Sequence, residues 1–548
     1  MPLPAAVWYP VLAAALAVSL AAVYYLSQPA GRWGQLVRKR LLLGLPWGTL
    51  LAVGGVLAFY LLAQDGLANP NAPVQIPFRA YGYTYPLGVL TAGFAHASLG
   101  HLVGNLIGTL VFGSLAEYAW SHFPTERGST SFSSLRMNPF ARIAAFAAAV
   151  FAFGIVSAAF GLGPVIGFSG VVFAFVGFAL VRFPLATAVA TLTTGVVSQL
   201  YNAVRSPESV HVASETFSQP WWAGISLQGH LLGLLAGAVF GAALLYRRGV
   251  RPNPTHIWLA ALVFAVDRGL WAVYLPEGPE TFRLFRALGL AAVFCIAALV
   301  AGAAVATPRD LLSRIDLSRR EAAYGLLIAA LLAVALVAVP LNLYTIDDPD
   351  AGLDADSGIE VEDYTVYYAE DVENQFVPAI PVPGDGNVTA DRIEASGIII
   401  VSAERDIWWQ EVSKSRLASN GEATLRLGSL TWNEDVHVTR PTWRVAGTES
   451  SYLVEAQAET ADERSVLFQS PPAQADARLD GRNVSVAPAD SGFELRVTRD
   501  NETLGTAAVP ADGESVTAGG VQFERDDRSL FAERGDTRLR IAQRADRS

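Results

Sequence analysis

Gly229-His230-Leu231-Leu232-Gly233-Leu234-Leu235-Ala236-Gly237-Ala238-Val239-Phe240-Gly241 holds one ionisable side chain among apolar residues and glycine. It lies in an apolar run over residues 226–246, close to the ~20 residues a helix needs to cross ~30 Å of hydrocarbon. Gly233, Gly237 and Gly241 recur every four residues and so line one face of that helix. Such a smooth stripe lets another helix approach backbone to backbone. An ionisable group in a membrane helix is costly to bury, so His230 points to function.

Working outward, apolar runs of similar kind cover about 4–26, 45–64, 88–115, 140–160, 165–182, 184–203, 255–275, 286–306 and 320–343. Clear amphipathic periodicity is lost inside them, as expected of helices facing lipid and one another. A membrane β-barrel would show short alternating segments instead. The expected fold is an α-helical polytopic membrane protein of about ten transmembrane helices, followed by a soluble, mostly-β domain.

Charge divides the 548 residues near position 344. Residues 1–344 carry a net charge of +9, and residues 345–548 carry −20. Only Lys39 and Lys414 are lysines. That balance, with the acidic tail, suits a protein working in high salt. A single cysteine, Cys295, excludes a disulfide framework within the chain.

Met1-Pro-Leu-Pro lacks the basic start of a signal peptide, whereas Arg32, Arg38, Lys39 and Arg40 follow the first run. This places the N-terminus outside and the first loop inside. Arg127, Arg136, Arg142, Arg182, Arg247, Arg248, Arg251, Arg309, Arg314, Arg319 and Arg320 then fall inside, and Asp65, Glu208, Glu215, Glu277 and Glu280 outside. Arg79, Arg205, Arg283 and Arg286 depart from the pattern. Ten crossings put the acidic tail outside, where the sequons at Asn387, Asn483 and Asn501 also lie. The expected location is a cell membrane, with the N-terminus and the C-terminal domain extracellular.

Asp347-Asp-Pro-Asp opens an acidic stretch, 345–395, that reads as a hydrated linker. Beyond it, residues 397–401, 423–427, 436–439, 452–454, 493–497 and 537–541 form short β-like runs separated by glycine turns. They suggest an all-β module of sandwich type.

Besides His230, two segments carry polar groups. His96-Ala-Ser-Leu-Gly-His101-Leu-Val-Gly-Asn105 belongs to the third run, with His101 and Asn105 one turn apart. Gly167-Phe-Ser169-Gly170 opens the fifth, and Ser169 and His230 are each about four residues into their helices, at one depth. A serine hydroxyl becomes a nucleophile when an imidazole takes its proton. The resulting oxyanion needs aimed donors, and His101, Asn105 and the Ser169 backbone N–H can supply them. No aspartate lies near to orient His230, so the pair reads as a dyad.

His-x4-His-x3-Asn, then Gly-x-Ser-Gly, then Gly-His with a GxxxGxxxG run, resembles the rhomboid family of intramembrane serine proteases over about residues 45–247. The resemblance implies a six-helix core, with Ser169 as nucleophile, His230 as base, His101 and Asn105 as oxyanion donors and His96 in support. Phe173 matches a position where relatives often carry a tyrosine stacked under the catalytic histidine. The Trp-Arg pair common in the family's first outer loop is not visible; Arg79 and Tyr81-Gly-Tyr-Thr-Tyr85 occupy that region. Gly229 stands where alanine is usual. The implied partners are transmembrane protein substrates and the lipid bilayer, with no cofactor, metal or nucleic acid.

The chain divides as 1–44, an extra helix and basic loop; 45–250, the core; 251–344, three added helices; 345–395, the linker; and 396–548, the β-rich domain. The added parts are expected to recruit substrates or shield the site, so that a chain ending near Arg251 keeps its activity. Competing readings are an inactive rhomboid-like binder of membrane helices and a transporter. Ser226 is a rival hydroxyl, and Asp267-Arg268 reads as a locally paired charge. His122, His211, His256 and His437 have no metal-ligand partners nearby in sequence.

Overall fold

The computed structural model describes residues 5–27, 32–124, 129–205, 226–276, 282–306, 310–312, 317–354, 357–380, 394–447, 450–490 and 492–545. Arg127, Glu208, His211, Glu215, Glu277, Glu280, Arg309, Arg314 and the sequon at Asn387 lie outside them. There are two compact units, one helical up to Leu343 and one from Tyr344 onward.

Each of the ten apolar runs contains a helix. Among the described residues, six are long and apolar enough to cross a membrane: Tyr9–Leu26, Leu99–Trp120, Pro139–Ala159, Leu227–Arg248, Arg286–Val305 and Arg319–Asn342. Trp47–Ala63, Ser169–Arg182 and Pro254–Asp267 are shorter apolar helices. Pro184–Arg205 is longer, with 22 residues, but carries Thr191, Thr193, Thr194 and Gln199. The chain is a multi-pass membrane protein.

Local chemistry sets several boundaries. Asn138 Oδ1 accepts from the N–H groups of Phe140 and Ala141, and Pro139 takes the first helical position. Asn253 and Pro254 repeat the device. Ser318 and Glu321 form a capping box.

The third run differs from its reading as one helix. Pro86–Thr91 is a short helix, the chain turns, and a new helix starts at Leu99. Ser98 causes the restart, since its Oγ accepts the His101 N–H at 3.2 Å. His96 therefore sits in the turn rather than in the helix. Gln64 holds that turn: its Nε2 donates to His96 O at 2.9 Å and its Oε1 accepts from His96 N at 2.8 Å.

The Ser169 helix, Ser169–Arg182, and the His230 helix, Leu227–Arg248, meet backbone to backbone. A methyl group added at Gly233 would lie 2.1 Å from Gly170 O, and one at Gly237 would lie 2.0 Å from Ala174 O. Gly241 is looser, 3.1 Å from Phe178 O. The added helices are bound into this unit. Phe264 packs on Phe173 and Phe112, with ring centroids 5.1 and 6.0 Å apart. Gln228 Nε2 donates to Val334 O at 2.6 Å, and Asn342 Nδ2 donates to Gly161 O at 2.6 Å.

His122 is fully buried, and its partner is a carboxylate rather than a metal. Its Nε2 donates to Glu117 Oε1 at 2.6 Å, while its Nδ1 accepts from Leu42 N at 2.8 Å. Glu117 also accepts from Gly48 N, Thr49 N and Thr49 Oγ1, which ties two helices together. A buried carboxylate needs such a shell of donors to offset its lost hydration.

In the C-terminal unit every β-like run is a strand. Ile359–Val361, Tyr364–Glu373, Glu394–Ser402 and Ile407–Ser413 form one antiparallel sheet. A nine-stranded sheet and a second four-stranded one follow. Val484, Val486, Leu495 and Val497 of the latter share a core with Val521, Phe523, Leu530 and Ala532 of the former. This is the face-to-face packing of a sandwich. Within 345–395, read from its charge as a linker, Tyr364 and Val366 are buried at 1% exposure or less. Most acidic residues of this stretch, from Asp347 to Asp363, precede the strand, so a charge count over the whole stretch overlooks the apolar run Tyr364-Thr-Val-Tyr-Tyr368. Asn483 opens a strand, and Asn501 lies in an exposed turn.

Candidate active site

Ser169 is the first residue of its helix, not the fourth, because Val165 is held in a β-bridge and the chain then bends through Gly167 and Phe168. Ala80 and Val165 exchange N–H···O bonds of 3.0 and 3.2 Å, and Gly167 N donates to Ala92 O at 2.8 Å. Gly167 has a φ of 125°, and a methyl group there would sit 2.6 Å from His101 Cε1. Only glycine meets both conditions. His230 is the fourth residue of its own helix, as expected.

The two side chains meet. His230 Nε2 lies 2.8 Å from Ser169 Oγ, a hydrogen bond in which the hydroxyl donates when Nε2 carries no proton. His230 Nδ1 is buried with no partner among the described residues, so no carboxylate completes a triad. Phe173 lies flat under the imidazole, with centroids 4.1 Å apart and planes 10° from parallel.

Opposite, a second cluster forms. His96 is fully buried, and its Nδ1 lies 3.1 Å from Phe94 O. A carbonyl only accepts, so Nδ1 carries the proton and Nε2 accepts from Asn105 Nδ2 at 3.0 Å. His96 thus fixes the Asn105 amide. The rings of His96 and His101 meet edge to face at 5.0 Å, and the His101 edge abuts Gly167. Through Gly167 this cluster adjoins the Ser169 segment. Val171 N and Val172 N donate to Phe168 O, at 3.1 and 3.2 Å, while the Ser169 N–H, first in its helix, has no intrahelical acceptor. All seven residues read as site members come together, and the glycine stripe runs away from them along the helix pair.

Ser226 stands just before the His230 helix and borders a small cavity that Ser169 and His230 also line, but its hydroxyl is not a partner of His230. Arg268 pairs locally with Asp267 at 3.1 Å, as expected, and also donates to Thr194 Oγ1. Sequence reasoning overlooked Gln64, Gln228 and Asn342. Each is an amide in an apolar segment, which was the available signal. Gln228 Nε2 donates to Phe160 O at 2.7 Å, while its Oε1 accepts from Leu162 N at 3.1 Å.

The family model of the rhomboid domain matches residues 84–247. The chain thus carries a rhomboid domain over that span. No curated protein and no solved structure matches it. The rhomboid domain so bounded contains every residue of the two clusters and the glycine stripe, but not Phe264, Val334 or Asn342, which touch it.

Two cavities adjoin the His230 helix. One of about 30 Å³ borders Ser169, His230, Gly167 and Ser157, space of the order one water occupies in the liquid. The other, about 620 Å³, lies between the rhomboid domain and the added helices and is walled mostly by leucine, alanine and valine. The polar chemistry belongs to the small one.

Proposed function

We propose that this rhomboid-family protein is an active intramembrane serine endopeptidase that cuts transmembrane segments of membrane proteins through a Ser169–His230 dyad. The observation that carries this reading is the 2.8 Å contact between His230 Nε2 and Ser169 Oγ. His230 takes the hydroxyl proton as Ser169 Oγ attacks a peptide carbonyl. The Ser169 N–H, His101 and Asn105 stabilise the oxyanion, each donor worth ~10²–10³ in rate. His230 then protonates the leaving amine, and water, activated by the same imidazole, hydrolyses the acyl-enzyme and restores both residues.

A helical substrate hides its carbonyls in hydrogen bonds. It must therefore unwind locally, which favours small or helix-breaking residues near the cut. Retention of both Ser169 and His230 favours this reading over an inactive binder, and a cluster near a helix end rather than at the bilayer centre argues against a transporter. The orientation proposed is a mouth, N-terminus and tail outside. Labelling of a cysteine at position 129 but not 451 in intact cells, in a Cys295→Ser background, would reverse it.

The decisive experiment uses purified protein in lipid with a fluorescent single-span substrate. Wild type is expected to cleave it, and Ser169→Ala and His230→Ala are expected to be inactive. Cleavage by Ser169→Ala at the wild-type rate, with Ser226→Ala inactive, would move the nucleophile to Ser226.

A further inference from the structure

Far from Ser169, positive charges converge on one helix end. The helix that carries Asn105 stops at Ser121, whose φ is 65°, leaving its last carbonyls without intrahelical donors. Arg248 donates to Ala119 O and to Trp120 O, both at 2.7 Å. Arg40 reaches the same Ala119 O at 3.3 Å. Arg142 reaches the same Trp120 O at 2.9 Å and Ser121 O at 2.8 Å. Arg182 lies within electrostatic reach of Arg248 and Arg40.

Capping accounts for only part of this. A helix C-terminus offers about half a negative charge, and here four guanidiniums gather, two pairs of which share one acceptor. The carboxylate nearest in sequence, Glu117, is engaged by Gly48, Thr49 and His122. Among the described residues, no aspartate or glutamate pairs with any of the four arginines. Arg40 Nε and Arg182 Nε are buried without an acceptor among the described residues.

Those two side chains are also held in place. Arg40 lies over the Tyr118 ring at 5.2 Å and Arg182 over the Phe183 ring at 4.9 Å. The two rings are themselves in contact, 5.6 Å apart, so the guanidiniums flank one aromatic pair. Stacking fixes the plane of a guanidinium and leaves its N–H edge for a forked acceptor. Along the His230 helix, Arg248 is ~27 Å from His230 at 1.5 Å per residue, about one hydrocarbon thickness away. The cluster therefore sits at the headgroup level of the opposite leaflet.

We propose that Arg40, Arg142, Arg182 and Arg248 form a seat for a phosphate, that of an anionic phospholipid headgroup in the leaflet opposite Ser169. Phosphate oxygens accept forked N–H pairs and supply negative charge that the cluster lacks among the described residues.

The test uses the full-length protein in nanodiscs of phosphatidylcholine doped with phosphatidylglycerol, counting retained phosphatidylglycerol by native mass spectrometry. Retention is expected to fall about tenfold in Arg40→Gln/Arg182→Gln, and less than about twofold in Arg38→Gln/Lys39→Gln. The second pair removes the same charge from exposed positions nearby. Equal retention by wild type and both variants, or equal loss in the two, would overturn the seat. Inorganic phosphate is added in pure phosphatidylcholine as a second arm. A rise in unfolding temperature that Arg40→Gln/Arg182→Gln abolishes would support the seat with free phosphate as its source. If the glutamine variant does not fold, Arg40→Lys/Arg182→Lys replaces it, keeping charge but not the fork. Wild-type retention by that lysine variant would then overturn the proposal.

Discussion

Phe173 and His230 form a parallel stack, and Phe264 braces Phe173 edge-on from a helix beyond the rhomboid domain. The ring stops the imidazole from turning away from Ser169. Phe173→Ala is expected to lower kcat/KM about tenfold or more by freeing His230, while Phe173→Tyr keeps the stack and most of the activity. Cleavage kinetics on one substrate separate the two. An unimpaired Phe173→Ala would remove the stack from the mechanism.

The glycine stripe predicts a graded series. A methyl group at Gly233 or Gly237 collides with backbone, whereas Gly241 has room for a small adjustment. Gly233→Ala and Gly237→Ala are expected to cost about 1–3 kcal/mol each through overpacking, and Gly241→Ala less than about 1. Unfolding temperatures in detergent give the order, and Gly233→Ala should also lose activity by parting Ser169 from His230.

Asn342 holds Gly161, which borders the cavity beside Ser169, while Gln228 holds Phe160 and Leu162. These ties run against the expectation that a chain ending near Arg251 stays active. Asn342→Asp keeps the shape but turns a donor toward Gly161 O into an acceptor, and is expected to cut kcat/KM about tenfold. Labelling of Ser169 by a small serine electrophile should change much less, since the dyad itself is untouched. Full activity of a folded Asn342→Asp would show that the turn needs no brace.

Glu370 in the C-terminal unit gives a pH prediction. Burial raises its carboxyl pKa, but hydrogen bonds from Lys414, Tyr452 and Tyr368 outweigh this and hold it below the usual carboxylate range. A depressed folded-state pKa stabilises above the unfolded value of ~4.3 and loses that contribution as pH falls further. Glu370→Gln should therefore unfold a few degrees below wild type at neutral pH and converge with it in acid. A difference that grows in acid would contradict the sign.

What was legible in the sequence was the constellation itself. His101 and Asn105 share a helix turn, the glycines keep a fixed period, and polar residues in apolar runs stand out. The β runs of the tail were legible for the same reason, since alternation is local. What was not legible depends on distant partners. Nothing near Ser169 says that Val165 pairs with Ala80, so the apolar run alone predicts an earlier helix start. The break before Leu99 rests on one Ser98 hydroxyl and on Gln64, about thirty residues away. Asn342 meets Gly161 across 181 positions, a contact that no periodicity announces.

That last contact orders events in time. A ribosome working at about 5–20 residues per second makes His230 roughly 5–20 seconds before Asn342. Through that interval the dyad residues can already be in the membrane while the turn beside them has no brace. A nascent chain arrested before residue 319 should accordingly cleave substrate poorly, and one released after 342 should cleave it fully. Equal cleavage by both would dismiss the delay. On the proposed activity, maturation only with the helix that carries Asn342 would spare the insertion machinery, and the chain's own unfinished helices, from being cut during synthesis.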